Sequence, residues 1–208
     1  MKKLILISIV VLSLLSLAGC KKDEYSVLEG TKYATFSAIM RVLWSDHAMW
    51  TRNVIFNIAD GAPGTTEAVN RLLKNQEDIG DAMKPYFYEA AGNALTDLLK
   101  EHINITAELI IAAKNGNNSD YDAAYAAWYV NGDAIAVFLN NANPDHWDLA
   151  EWKTMIKNLL DLTLEEVVAR LNGDYAADVA AYDKVYAELM IMSDMLSEGI
   201  VLQFPEFF

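Results

Sequence analysis

The sequence predicts an all-α protein, an up-and-down helical bundle of the four-helix-bundle type. Two observations carry this prediction. Apolar residues recur every three to four positions through long segments, and alternation of apolar and polar residues is nowhere long enough for a strand. Polar turns rich in Gly, Asn and Pro separate the segments, and such residues typically stop and start helices. The turns are residues 61–64, 115–118, 143–145 and 172–174.

Apolar spacing gives the approximate bounds of each element in chain order. The predicted helices cover residues 32–59, 66–75, 86–114, 120–141, 148–171 and 175–202. The short second helix is followed by an irregular passage through Gly80 and Pro85, since both residues interrupt helical patterns. The end, residues 203–208, is apolar enough to dock back on the bundle or to touch a membrane.

A weak internal repeat suggests how the helices pair. Residues 99–106 align with 156–163, and each stretch is followed by a Gly turn and an Ala- and Tyr-rich helix. This pattern predicts a duplicated helical hairpin, with the helix over 32–59 packed alongside. The alternative is a coincidence between amphipathic helices, because a shared apolar period makes helices look alike.

The N-terminus has the pattern of a bacterial lipoprotein signal peptide. Lys2 and Lys3 precede a short apolar run that ends in Leu17-Ala18-Gly19-Cys20. The run is shorter than the about 20 residues of a spanning helix. We therefore expect residues 1–19 to be removed, Cys20 to be lipidated, residues 20–31 to form a short tether and 32–208 to form one domain. The domain would sit on the outer face of a cell membrane, held by its lipid.

Composition limits the partners and the chemistry. Cys20 is the only cysteine, so the domain contains no disulfide and no thiolate metal ligand. After signal removal, 14 basic and 29 acidic residues remain, a net charge of −15. This charge argues against binding nucleic acid or anionic headgroups through a general field. The charge fits a soluble face turned away from the membrane, and the alternative is a protein partner at the cell surface. No pattern in the sequence indicates the oligomeric state.

Two histidines lie on the apolar faces of predicted helices, His47 in the first and His102 in the helix over 86–114. An inward imidazole needs a hydrogen bond, a charged partner or a metal, because an unsatisfied buried polar group costs about 1–3 kcal/mol. Each histidine follows an acidic residue and precedes a Thr one turn later; these neighbours are Asp46, Thr51, Glu101 and Thr106.

These residues raise the alternative of a metal site. Helical bundles hold iron, manganese or zinc with ligands from several helices. Here His47, His102 and the inward Glu166 are the candidate ligands, with Asn131 inward on a neighbouring helix. However, adjacent Glu and His side chains point about 100° apart on a helix, unlike the Glu-x-x-His spacing of di-metal bundles. A core histidine satisfied by a hydroxyl or carbonyl is the favoured interpretation.

The other candidate functional residues give weaker signals in the sequence. His146 directly follows the 143–145 turn and fits the start of the next helix. Trp44 and Asp46 fall off the main stripe and could line a groove, whereas most aromatic residues fit the core. A pocket for a small apolar ligand between the helices is a third alternative. Motifs for a serine hydrolase, a phosphate-binding loop or a dinucleotide fold are absent from the sequence.

Several segments resemble a family of small bacterial helical proteins whose function is unsettled. They are residues 43–52, Glu101-His102, 165–174 and 194–200, and the similarity extends over nearly the whole domain. Some members bear the name acetylglutamate kinase, but an amino-acid kinase needs a mixed α/β nucleotide domain, which an all-helical pattern cannot build. Members often have histidines at the positions of Leu159 and Tyr186. The resemblance thus implies a hemerythrin-like histidine cluster that is incomplete in this chain.

Together these observations predict a surface-anchored, noncatalytic helical module of the cell envelope that binds a partner or supports structure. The alternative is a metal-binding bundle with a sensing or redox role.

Overall fold

The computed structural model describes residues 27–28 and 30–208, and within them it confirms the all-α prediction. Five helices follow one another: α1 (Thr31–Asp60), α2 (Thr65–Asn115), α3 (Asn118–Ala142), α4 (Leu149–Leu171) and α5 (Tyr175–Gln203), with a final 3-10 turn at Pro205–Phe207. The predictions for the signal peptide, for Cys20 and for most of the tether lie outside the described residues.

The helices form a closed ring. Each helix packs against the next one in the sequence, α5 returns to pack against α1, and α1 also contacts α4. The predicted helix bounds agree with the observed ones within a few residues except in α2. Long helices joined by short turns bury one apolar face each, so the up-and-down order follows from the turn positions.

The helix α2 is two antiparallel arms, 65–87 and 89–115, that meet at Tyr88. Tyr88 has a non-helical backbone with φ 65° and ψ 168°. The prediction of an irregular passage after residue 75 is wrong, because the first arm continues as helix through Gly80 and Pro85. Gly80 serves close packing: a Cβ there would lie 1.9 Å from Thr96 Oγ1 and 2.6 Å from the Gly92 carbonyl oxygen. Gly80 lies within a continuous helix, and its role is to let the two arms approach each other.

The two predicted hairpins, the second arm of α2 with α3 and α4 with α5, turn in the same way. Gly116 and Gly173 both adopt positive φ, 66° and 72°, after the last helical turn. The next residue caps the following helix in each case: Asn117 accepts a hydrogen bond from the Asp120 N–H, and Asp174 accepts one from the Ala177 N–H. The Thr106 and Thr163 hydroxyls, at equivalent repeat positions, donate to the carbonyls four residues earlier.

The ring has two distinct ends. At the tether end, where α1 begins, Phe36 packs against Tyr86 and Phe208 with ring centroids 5.2 and 5.3 Å apart. The break at Tyr88 and the turn between α3 and α4 lie at this end too, since Phe87 contacts Trp147 at 5.5 Å. The three Gly turns at residues 61–64, 116–117 and 172–174 form the distal end.

Candidate functional site

The two helical histidines line a common cavity in the middle of the ring. His47 on α1 and His102 on α2 both contact a cavity of about 40 Å³, together with Leu159 on α4. The remaining walls are apolar and come from α1, α2, α3, α4 and α5: Trp44, Leu95, Leu99, Ile135, Leu139, Trp152, Ile156, Leu160, Met192 and Leu196. We call this space and its two histidines the histidine cavity. The predicted inward position of both histidines is therefore observed.

A carboxamide fixes the ring of His102. Its Nδ1 lies 2.8 Å from Asn131 Oδ1. The Asn131 amide nitrogen points the other way, donating to the Leu98 carbonyl at 3.1 Å and to Glu101 Oε2 at 3.4 Å. These two acceptors assign the orientation of the amide, so the oxygen faces the imidazole. An amide oxygen only accepts, so His102 carries its proton on Nδ1, and Nε2 keeps the lone pair.

A second carboxamide holds His47 with the opposite polarity. Gln76 Nε2 lies 3.2 Å from His47 Nδ1 and also contacts the Leu72 carbonyl at 2.9 Å and Asn75 Oδ1 at 3.1 Å. Because the latter two atoms only accept, the nitrogen of the Gln76 amide must face this side. The amide donates to Nδ1, and the His47 proton is therefore on Nε2.

Both imidazoles are neutral near physiological pH. Burial lowers the pKa of His47 to about 4, aided by the neighbouring His102. Burial also lowers the pKa of His102 to about 4, although its hydrogen bond with Asn131 opposes the shift. Removing a cation from water is costly, and no carboxylate hydrogen-bonds to either ring among the described residues. Of the two Nε2 atoms in this arrangement, only that of His102 has a free lone pair.

Glu166 is buried but belongs to a different cluster. Its Oε1 lies 2.7 Å from Arg52 Nη1, which also contacts Asp178 Oδ1 at 3.0 Å. The Nη1 of Arg170 lies 3.6 Å from Asp178 Oδ2, and its Nη2 lies 2.5 Å from Asp60 Oδ2. We call Arg52, Glu166, Asp178 and Arg170 the carboxylate cluster; it joins α1, α4 and α5.

Aromatic rings complete the carboxylate cluster. The Arg52 guanidinium lies 4.4 Å from the ring centroids of Phe56 and Tyr182, and Arg170 lies 4.0 Å from Phe56. Burial raises the pKa of Glu166 to about 7, with a further rise from Asp178, and Arg52 opposes both. One proton thus titrates at Glu166 near neutral pH.

The structure does not bring the three predicted metal ligands together. Glu166 lies on Arg52, and the residues that line the histidine cavity do not include it. Within residues 27–28 and 30–208, no group of three or more His, Cys, Asp or Glu side chains is placed to hold a metal ion. The two histidines alone remain as ligands for the predicted iron, manganese or zinc.

The remaining predicted residues surround the histidines in different ways. The Trp44 ring is 5.5 Å from His47, and its Nε1 has no hydrogen-bond partner. Asp46 turns outward and pairs with Arg71 at 3.2 Å. The buried Thr51 hydroxyl also lacks a partner and lines a smaller space of about 20 Å³ that the histidines share.

The acidic residue and the Thr that lie near each histidine in the sequence do not hydrogen-bond to its ring. Glu101 accepts from Asn131, so it acts on His102 through that amide. Thr106 donates to the His102 backbone carbonyl instead of to the ring. His146 lies in the turn before α4, where its backbone N–H donates to the Asn143 carbonyl at 3.3 Å.

Sequence reasoning missed Gln76, Arg52 and Asp178. A usable signal existed for Gln76, which lies between Leu72 and Ile79 at helical spacing and so interrupts an apolar stripe. Asp178 interrupts the α5 stripe in the same way, three residues before Ala181. Arg52 gave no such signal, because its long side chain reaches the core from the edge of α1.

The size of the histidine cavity limits what it can hold. A bound water needs about 10–15 Å³, and an apolar cavity that binds benzene measures about 150 Å³. The observed 40 Å³ fits a few water-sized molecules. In this cavity the small-ligand alternative is thus restricted to ligands of a few atoms.

Comparisons with known proteins assign neither a family nor a function to the chain. No protein-family model, curated protein or solved structure matches the chain. In the part of the chain that the structure describes, no helix has the length and hydropathy needed to cross a bilayer.

Proposed function

We propose that the chain is a lipid-anchored, noncatalytic helical module of the cell envelope. The sequence around Cys20 supports the anchor and the extracytoplasmic location. One observation carries the noncatalytic part: a carboxamide occupies Nδ1 of each histidine of the cavity, and both rings are neutral. Both candidate histidines and Glu166 thus have structural partners.

The acidic charge fits a module that presents a hydrophilic surface away from the membrane. A net charge of −15 for the mature chain keeps such a domain soluble and repels nucleic acid. Grooves between the outer helix faces then remain for a protein partner at the cell surface. Binding by this module would depend on its surface, since the interior admits only small molecules.

The anchor is tested by replacing the acylated residue. Cells expressing the parent chain, Cys20→Ala or the matched control Lys21→Ala are fed a labelled fatty acid. We expect the parent and Lys21→Ala to incorporate the label and to lose residues 1–19, while Cys20→Ala does neither. Fatty-acid labelling of Cys20→Ala, or a parent chain without label, contradicts the anchor. Membrane fractionation of the same cells should show less retention of Cys20→Ala.

A metal-binding bundle is the second candidate, because His47 and His102 line one cavity. Joint ligation would require His47 to give up its Nε2 proton, a change opposed by the Gln76 hydrogen bond. The test is elemental analysis of the purified full chain beside a His47→Ala, His102→Ala double variant. Stoichiometric iron, manganese or zinc in the parent, lost in the double variant, would establish this function and overturn the noncatalytic module.

A further inference from the structure

The tether end of the bundle presents aromatic side chains that the fold leaves exposed. Tyr88, at the break in α2, is 82% exposed, and Phe207, in the last turn, is 48% exposed. Phe207 contacts Tyr86 at 5.5 Å, Tyr86 stacks on Phe208 at 5.5 Å, and Tyr88 follows Phe87 at the break beside this aromatic base. The base holds the two exposed rings at one end of the molecule.

Tyr88 occupies a backbone conformation that favours glycine. With φ 65° and ψ 168°, its Cβ is strained, and such residues cost of order 1–3 kcal/mol. A glycine would relieve this strain and continue the turn between the two arms. The ring of Tyr88 is mostly in solvent, so burial in the bundle does not compensate for the strain. A contact of the Tyr88 ring outside the bundle would compensate for this strain.

The position of the tether determines what this end can reach. Cys20 precedes the buried Val27 by seven residues, which span at most about 25 Å when fully extended. Val27 belongs to the same core cluster as Phe36, and the Lys32 ammonium donates to the Phe207 carbonyl at 3.2 Å. A lipid on Cys20 therefore holds Tyr88 and Phe207 close to the bilayer.

We propose that Tyr88 and Phe207 insert into the interface of the anchoring membrane and fix the bundle upright on it. This inference rests on the proposed lipid anchor. Aromatic rings favour the headgroup level of bilayers, where Tyr places its ring in an apolar layer and its hydroxyl in water. The anchor makes the contact intramolecular, so a weak affinity of two rings is enough to set the orientation.

Charge at the tether end is mixed. Glu89 and Glu206 are exposed beside the two rings, and the exposed Lys32 places its ammonium on the Phe207 carbonyl. Charges of both signs so close together give no net attraction to or repulsion from anionic headgroups. The insertion therefore depends on the two rings.

Single labels test the contact. If the Cys20 thiol is acylated, a new cysteine is the only free thiol in the mature chain. We would label Tyr88→Cys, Phe207→Cys and the control Ser119→Cys with an environment-sensitive fluorophore. Ser119 is exposed at the distal end, about 40 Å from Tyr88 along the 27-residue second arm of α2. The acylated chains are reconstituted in phosphatidylcholine vesicles that carry a nitroxide near the acyl carbonyl.

The expected result is quenching and a blue shift at positions 88 and 207 but not at 119. Quenching at either of the first two that does not exceed that at 119, in vesicle-bound protein, overturns the inference and leaves the anchor standing. A blue shift without quenching also overturns it, because a second protein copy would then cover the rings. Protein that carries no acyl chain and stays free of vesicles defeats both the anchor and the insertion.

A further variant separates the membrane contact from folding. Tyr88→Gly should raise the urea midpoint by relieving the backbone, while it lowers quenching of the label at Phe207→Cys. A lowered urea midpoint would show that Tyr88 serves the fold, and unchanged quenching would show that Tyr88 adds nothing to the membrane contact; either result would contradict the inference.

Discussion

The histidine cavity and the carboxylate cluster bury polar groups in the same bundle by opposite means. In the histidine cavity, both imidazoles are neutral; His47 accepts a hydrogen bond from one carboxamide, and His102 donates one to another. In the carboxylate cluster, Arg52 brings opposite charge to Glu166 and Asp178, and aromatic rings cover the guanidinium. The difference teaches that burial alone does not make a common site, because the two histidines and Glu166 each pair with their own neighbours.

The two regions differ in the free energy of unfolding that is lost when a partner is removed. Removing a partner from the carboxylate cluster leaves buried charge, and breaking a buried pair typically costs about 3–5 kcal/mol. Removing a partner from the histidine cavity leaves a neutral donor or acceptor, which costs about 1–3 kcal/mol. Point substitutions therefore distinguish the two regions.

Arg52→Met should have the largest effect. Met keeps most of the apolar stem but leaves Glu166 and Asp178 facing each other, so we expect a loss of about 3–5 kcal/mol at pH 8 by urea unfolding. The control is Arg41→Met, which breaks an exposed pair with Asp194 and should cost about 0–1 kcal/mol. Equal effects of the two substitutions would show that the cluster is not electrostatically special.

Asn131→Leu should have the next largest effect. The near-isosteric side chain leaves the His102 Nδ1–H without an acceptor, so we expect a loss of about 1–3 kcal/mol. Asn53→Leu is the control, since the exposed Asn53 donates only to the Met49 carbonyl on its own helix; a change within about 0.5 kcal/mol is expected there. If Asn131→Leu is as mild as its control, the assigned hydrogen bond is wrong.

The pH dependence of stability should separate the two regions by sign. Below pH 6.5 the folded chain binds fewer protons at His47 and His102 than the unfolded chain, so their contribution to stability falls as pH drops toward 4. Glu166 has a raised pKa, so its contribution is present below pH 4.5 and falls as pH rises through about 7.

Glu166→Gln should remove the opposing slope. Stability, measured by urea unfolding between pH 4.5 and 7, should then rise more steeply with pH than in the parent chain. The matched substitution Glu165→Gln, on an exposed pair with Lys184, should leave the slope unchanged. A shallower slope in Glu166→Gln would mean that Glu166 is charged across this range.

The fold could be predicted because local signals determine most of it. Gly116, Gly173 and Asp174 mark helix ends through backbone conformation and capping, which act within a few residues. Gly80 was misjudged for a different reason: its role depends on Gly92, which approaches from the opposite arm. A contact of that kind leaves no trace in the local pattern.

The candidate site could be predicted only in part for the same reason. Helical periodicity places His47, His102 and Glu166 inward, and the structure confirms each of these positions. It does not reveal that Arg52 reaches Glu166 or that Gln76 reaches His47, because those pairs depend on how the helices are rotated and offset. The local sequence indicates that a side chain faces the core, but it does not indicate which residue of another helix pairs with it.

The tautomers of the two histidines in the cavity test the central claim most directly. Long-range proton–nitrogen correlation spectra of the nitrogen-15-labelled full chain at neutral pH report which ring nitrogen carries hydrogen, with assignment through His47→Phe and His102→Phe. We predict two neutral rings, His47 protonated at Nε2 and His102 at Nδ1, both unchanged by added Zn²⁺. A charged ring, the same tautomer in both, or a zinc-induced change at both would contradict the structural role of these histidines.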